Sequence, residues 1–180
     1  MEVTPTKLPE VLLIEPQVFS DARGLFKETY QRERYVAAGI TNEFVQDNFS
    51  RSCRGTLRGL HYQLHEPQGK LVQVFRGEIL DVAVDLRRSS ETFGQHVSVV
   101  LSESNHQQLY IPPGFAHGFY VLSEVAEFSY KCSDYYHPEH EQTLLWNDPE
   151  LGIDWQIEGE PVLSEKDRQG TTLSEAVTFD

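Results

Sequence analysis

The sequence predicts an all-β fold, an antiparallel jelly roll with a few short helices. Three observations lead there. Short runs rich in Val, Ile, Leu, Phe and Tyr recur at close spacing through residues 11–132. Gly, Pro and Asp clusters with turn chemistry separate them. Almost no helical pattern lies between the runs, so the crossover helices of a parallel βαβ fold are missing. The chain of 180 residues is long enough for one full core, and shows no internal repeat and no Pro/Gly/Ser linker. It reads as a single domain over 1–180.

The elements follow in order. Val11–Ile14 is the first strand, and Asp21–Gly24 the first turn. Gln31–Ala38 has helical composition and stops at Gly39, a residue suited to the left-handed position after a helix. Phe44–Phe49 and Leu57–Gln63 are strands. Pro67–Gly69 turns the chain into Leu71–Phe75, and Arg76-Gly77-Glu78 turns it into Ile79–Leu86. Ser89–Gly94 leads to Val97–Leu101 and then Leu109–Ile111. Pro112-Pro113-Gly114 precedes Phe119–Leu122, and Glu127–Cys132 is the last strand. Two of these alternate cleanly. Phe128, Tyr130 and Cys132 share one face and Glu127, Ser129 and Lys131 the other, so Tyr130 points inward. His117, Phe119 and Val121 share a face, which turns His117 inward at the mouth of a strand.

Charge narrows the function. Lys and Arg number 15 against 28 Asp and Glu, a net charge of −13. Such a surface repels polyanions, so nucleic acid and anionic membrane are not expected partners. A small phosphorylated ligand stays open, because a few Arg in one cleft outweigh a diffuse opposing field. The acids crowd the end: 12 of them lie from Asp134 onward, against Lys166 and Arg168. That pattern reads as a polar C-terminal segment wrapping the domain. The N-terminus lacks a basic region followed by a long apolar run, and no stretch approaches the roughly 18 apolar residues of a membrane helix. Cys53 and Cys132 are two lone thiols without CxxC spacing, which suits a reducing cytoplasm.

Chemistry concentrates in Arg58-Gly59-Leu60-His61-Tyr62-Gln63, followed by Gly69-Lys70. His61 and Gln63 share a strand face. An inward His near a Lys is costly without partners. It is either a hydrogen-bonded core His beside a snorkelling Lys, or a general base beside a cation that holds an oxyanion. Arg58 and His61 are three apart, so an ideal strand puts them on opposite faces. Both reach one pocket if the chain bulges near Gly59; otherwise Arg58 sits at the rim.

Pro112-Pro113-Gly114-Phe115-Ala116-His117 resembles the second metal motif of the cupins, PxGxxH. Their first motif needs HxH and then Glu; the matching stretch here is His61-Tyr62-Gln63, followed by the cation Lys70. An ammonium has no lone pair to offer a metal, so the pocket is expected to hold none. A metal-free pocket with His, Lys and Tyr suits proton transfer next to a ketone: base on one side, acid on the other, and a donor at the enolate oxygen. Asp167, in Leu163-Ser164-Glu165-Lys166-Asp167, is either a solvated terminal acid or the partner that fixes a His tautomer through Nδ1–H. Arg23, in a Gly-containing turn, can fork onto phosphate, and Phe19 and Phe26 can stack on a base.

Taken together, FSDARGLFKE, VQDNFSRS, GTLRGLHYQ, GKLVQVFRGEILDVAVDLR, SETFG, IPPGFAHGF, YKCSDYY and LSEKD resemble the dTDP-4-dehydrorhamnose 3,5-epimerases, metal-free cupins, from about Val11 to Asp167. The resemblance implies a base at His61 with Asp167 behind it, an opposed acid at Tyr130, and Lys70 at the C4 oxygen. It implies substrate contacts at Arg23, Glu28, Gln46, Asn48, Arg58, His117, Glu141 and Lys166, with Phe19 and Phe26 flanking the thymine. It implies a dTDP-4-keto-6-deoxyhexose substrate inverted at C3 and C5 without a cofactor, and a homodimer whose N-terminal strands exchange so that Arg23 and Glu28 complete the partner's pocket. Rival readings on the same fold are a mono-epimerase and a 3,4-ketoisomerase. From other classes come a sugar-nucleotide-binding module without chemistry and a metal-dependent cupin.

Overall fold

The computed structural model describes residues 1–180 as two antiparallel sheets facing each other, a cupin-type jelly roll. The strands are β1 (Glu2–Pro5), β2 (Leu12–Glu15), β3 (Val18–Asp21), β4 (Gly24–Lys27), β5 (Gln46–Cys53), β6 (Leu57–Gln63) and β7 (Lys70–Arg76). They continue as β8 (Glu78–Asp85), β9 (His96–Ser102), β10 (Gln108–Ile111), β11 (Phe115–Val121), β12 (Val125–Cys132) and β13 (Glu141–Thr143). One sheet runs β1-β2-β10-β7-β12-β5 and the other β13-β6-β11-β8-β9, while β3 and β4 form a separate hairpin. The helices are α1 (Arg32–Ala37) and α2 (Glu165–Arg168), with a 3-10 turn at Pro138–His140.

All nine expected strands are present. Several run past the expected bounds, β5 and β11 the furthest: β5 continues to Cys53, and β11 begins at Phe115, directly after Gly114. The expected helix is also there, closed by Gly39 at φ +93°. Its N-terminus is capped by the Gln31 side chain, which accepts from Arg34 N at 2.7 Å. Four strands, β1, β3, β4 and β13, were not expected. They are short and polar or largely exposed, so pairing in the folded chain, not an apolar pattern, makes them strands.

Alternation decides what lies inside. On β8, Ile79 and Ala83 join the core between the sheets, while Leu80, Val82 and Val84 face outward. That core includes Val72, Val74, Phe115, Phe119, Val121 and Phe128. The outward apolar face does not meet water. The chain after Thr143 lies over it and contributes Leu144, Leu151, Trp155, Leu173 and Ala176. The C-terminal segment therefore wraps the fold as expected, but its underside is apolar and forms a second core. Burying each of these leucines contributes about 1.5–3 kcal/mol. A third cluster, Ile14, Tyr35, Ile40, Leu71 and Tyr110, seats α1 on the outside of the larger sheet.

Asp85 ends β8 and closes the turn that follows. It is fully buried and accepts from Arg87 Nη2 at 2.8 Å, Ser90 Oγ at 2.6 Å and Thr92 Oγ1 at 2.7 Å. Burial pushes its carboxyl up, yet these donors together outweigh burial and hold it at about 2. An unfolded Asp titrates near 3.9, so the ionised form favours the fold. The stabilisation is present above about pH 4 and is lost as pH falls through about 2, an effect of roughly 2–3 kcal/mol. Denaturant titrations from neutral pH to about pH 2 should therefore show a steep acid limb, shallower by close to one proton in Asp85→Asn; an unchanged limb would refute it.

Candidate active site

One cavity of about 870 Å³ opens between the two sheets. It exists because the inward positions at that end of the sandwich are polar. From the smaller sheet come Arg58, His61 and His117; from the larger, Gln46, Asn48, Lys70 and Tyr130. Glu141 of β13 and Lys166 and Asp167 of α2 close one side.

A bulge brings Arg58 and His61 to the same face. Against β11, His61 pairs with His117 but Arg58 pairs with Phe119, so β6 carries one extra residue. Leu57 and Leu60 accordingly both face the C-terminal segment. The extra residue is Gly59, at φ +113°. A Cβ there would lie 2.6 Å from the Gly118 Cα and 2.7 Å from the His117 oxygen, so the two strands can approach only as glycines. Arg58 is exposed at the rim, where its Nε donates to Ser52 Oγ at 3.3 Å.

His61 is gripped by Asp167, 106 residues away. His61 Nε2 and Asp167 Oδ1 are 2.6 Å apart. Asp167 is buried and also accepts from Gly59 N at 3.2 Å and Ser164 Oγ at 2.6 Å. Burial works to raise its carboxyl, but the bonds from His61 and Ser164 outweigh it, and the group stays below the ordinary Asp value. Asp167 is thus no solvated terminal acid. The nitrogen it holds is Nε2, where the sequence analysis expected Nδ1. With Nε2–H donating to Asp167, the lone pair is on Nδ1, which lies 4.0 Å from Glu141 Oε1.

On the facing sheet, Tyr130 packs on Phe128 with ring centroids 5.5 Å apart and points into the cavity. Burial pushes its hydroxyl up to about 12; Cys132 and Glu141 add to this and Arg58 opposes it. Tyr130 therefore keeps its proton at neutral pH. Lys70 shares the inward face of β7 with Val72 and Val74. Burial lowers its ammonium from the usual value, while Cys132, Glu141 and Asp81 hold it up at longer range. It does not snorkel away; it lines the cavity.

His117 is deeper than expected. It is the third residue of β11, not at a strand mouth, and is 6% exposed. Its Nε2 lies 2.9 Å from Asp81 Oδ2 and 3.0 Å from Oδ1. Burial lowers the imidazole, and the Asp81 charge pulls the other way. Glu141 accepts from Lys166 Nζ at 2.7 Å and from Tyr136 OH at 2.9 Å; burial raises its carboxyl, but these donors leave it below the ordinary value.

Four expected contact residues lie outside the cavity of their own chain. Phe19, Arg23 and Phe26 are on the β3–β4 hairpin, with Arg23 turned back onto Asp21, and Glu28 pairs with Arg34 at 3.1 Å. Gln63, expected beside His61, is spent on the backbone of Glu66, Tyr135 and His137. Sequence reading missed Asp81, Tyr136, Ser50 and Ser164. Asp81 was findable, since two acids alternate inward in the apolar DVAVD of β8. Ser50 Oγ lines the cavity, buried and without a hydrogen-bond partner within the protein.

The dTDP-4-dehydrorhamnose 3,5-epimerase family profile matches residues 5–175. A dTDP-4-dehydrorhamnose 3,5-epimerase of Pseudomonas aeruginosa is 57% identical over 180 residues, covering 99% of each chain. The crystal structure of a dTDP-6-deoxy-D-glucose-3,5-epimerase from Legionella pneumophila, in complex with dTDP-4-keto-L-rhamnose, is 53% identical and superposes with a TM-score of 0.95 over 97% of this chain and 93% of that one. A 3'-monoepimerase from Streptomyces bikiniensis, in complex with dTDP-quinovose, is 34% identical with a TM-score of 0.89, over 95% and 87%.

The His61–Asp167 bond has a direct spectroscopic consequence. In ¹⁵N NMR at alkaline pH, neutral His61 should carry its proton on Nε2 in the wild type. In Asp167→Asn the amide can present its NH₂ instead, and the tautomer should shift toward Nδ1–H. A wild-type signal from the Nδ1–H form would reverse the assignment.

Proposed function

Because the chain belongs to the dTDP-4-dehydrorhamnose 3,5-epimerase family, a family of isomerases, we propose that it inverts C3 and C5 of dTDP-4-dehydro-6-deoxy-D-glucose to give dTDP-4-dehydro-L-rhamnose, in dTDP-L-rhamnose biosynthesis. One observation carries the mechanism: an imidazole with a free Nδ1 and a protonated phenol come from opposite sheets and line one cavity. Both C3 and C5 are next to the C4 ketone, so each C–H is acidified by it. His61 Nδ1 takes the proton, and the electron pair moves onto the C4 oxygen as an enolate. Lys70 holds that oxygen. Tyr130 then gives its proton to the other face of the same carbon, and the C4 carbonyl reforms. Solvent resets both groups, and a ring flip presents the second carbon.

No cofactor enters, because the substrate's own ketone stores the charge. The donor set also argues against a divalent ion in the cavity. Nε2 of both histidines is engaged by a carboxylate, and Lys70 adds a positive charge where the cupin acid would stand. Arg58 at the rim, Lys166, Gln46 and Asn48 suit the diphosphate and sugar hydroxyls.

The working unit is one cupin-like epimerase domain, paired as a homodimer in the cytoplasm. The β3–β4 hairpin exposes Phe19 by 60% and Phe26 by 68%, and the edge strand β5 exposes Phe49 by 64%. Apolar groups gathered on a hairpin and a free sheet edge favour a second copy as cover. Phe19, Arg23, Phe26 and Glu28 then complete the partner's pocket. No helix is long and apolar enough to cross a membrane, and both cysteines are unpaired. Single inversion is the second reading, favoured by the likeness to the 3'-monoepimerase structure.

Incubation with the 4-keto sugar nucleotide in deuterated water, followed by NMR, separates these. Deuterium should enter at both C3 and C5; entry at C3 alone would make the enzyme a mono-epimerase, and entry at neither a binder. His61→Ala should lose exchange at both carbons by about 10²–10⁴-fold, the usual scale for a general base. Tyr130→Phe should still exchange while product formation at C5 falls; unchanged turnover would remove Tyr130 from its role.

A further inference from the structure

The connection from β12 to β13 carries a cluster that the proton-transfer chemistry does not use. It contains His137, Glu139 and His140, whose donor atoms all lie within 4.8 Å of one another. The connection from β6 to β7 adds two more groups. Glu66 Oε2 is 2.7 Å from His140 Nδ1, and the His65 ring stands edge-on to His140 with centroids 5.0 Å apart. His140 Nδ1 is closed to solvent, with the Glu66 carboxylate as its charged neighbour. The surroundings are anionic, on a chain of net charge −13.

We propose that His137, Glu139 and His140, with Glu66 beside them, bind a divalent transition ion of the zinc class. The donor chemistry sets the class. Imidazole with carboxylate suits Zn²⁺, Ni²⁺ or Cu²⁺, whereas Mg²⁺ and Ca²⁺ take oxygen ligands almost exclusively. Tetrahedral zinc at about 2.1 Å from each donor wants its ligands about 3.4 Å apart. Closing from 4.8 Å to that spacing needs only small rotations of half-exposed side chains. Water fills any remaining position.

The placement indicates what the ion does. The two connections are already joined: Leu64 N donates to His140 O at 3.0 Å, and His137 N donates to Gln63 Oε1 at 2.9 Å. One runs on to Gln68 and Lys70, and the other is flanked by Tyr136 and Glu141, all of which line the cavity. An ion shared by the two connections staples the rim on that side. It binds the folded chain and so raises stability by mass action, with no part in the chemistry.

The test uses the full chain freed of any polyhistidine tag. Isothermal titration with ZnCl₂ should show one saturable equivalent, and the melting temperature should rise with zinc but not with MgCl₂. The double variant His137→Ala/His140→Ala should bind zinc at least about tenfold more weakly, a loss that even outer-sphere partners can cause. It should keep its epimerase turnover. If that variant does not fold, Glu139→Gln, at an exposed position, should show the same weakening. Absence of saturable zinc binding, equal response to magnesium, undiminished affinity in the folded variant, or displacement of zinc by dTDP, which would put the ion in the cavity, each overturns the proposal.

Discussion

The cavity depends on one inserted residue. If Gly59 stayed in regular register and did not bulge, β6 would keep a strict two-residue alternation, and Arg58 and His61, three apart, would point to opposite faces. The same insertion brings the Gly59 N–H onto Asp167, so the bulge that aims His61 also anchors its partner. The site tolerates no side chain at Gly59, and Gly118 across the ladder is small for the same contact. The irregularity is therefore a built feature of the β6–β11 pair.

A sandwich interior is a poor solvent for charge, and this one places two carboxylate–imidazole pairs, a lysine and a phenol inside it. Each acid is satisfied: Asp167 by three donors and Asp81 by His117. The same low polarity that makes pairing necessary keeps Tyr130 protonated and depresses Lys70. Structure and reactivity thus share one cause. Phe128 and Phe119 continue the apolar core up to the cavity wall and keep the polar end from spreading into it.

The C-terminal segment links stability to the site. Leu144, Leu151, Trp155, Leu173 and Ala176 hold it on the outer face of the smaller sheet. Trp155 Nε1 donates to Trp146 O at 2.7 Å, and Asp148 accepts from Leu173 N at 2.7 Å, so its loops are pinned internally. Between these anchors the chain crosses the cavity mouth and presents Lys166 and Asp167. The apolar cover thus supports the acid that His61 bonds.

The sequence by itself determined the jelly roll and the inward faces of β11 and β12, and it marked Gly59 as the place where a bulge could bring Arg58 and His61 together. These rest on alternation and turn chemistry, which are local. It also singled out His61, Lys70 and Tyr130 as candidates for the chemistry, through motifs of a few residues each. Tertiary structure alone decided the rest. It paired Asp167 with His61 across 106 residues and chose Nε2 as the bonded nitrogen. It sank His117 onto Asp81, and it placed Arg23, Glu28, Phe19 and Phe26 away from their own chain's cavity. The polar strands β1, β3, β4 and β13 belong with these, since their hydrogen bonds come from neighbours distant in sequence or from a hairpin without an apolar face. Partnerships between distant side chains depend on how sheets and wrapping segments pack, and no periodicity within a single segment encodes that.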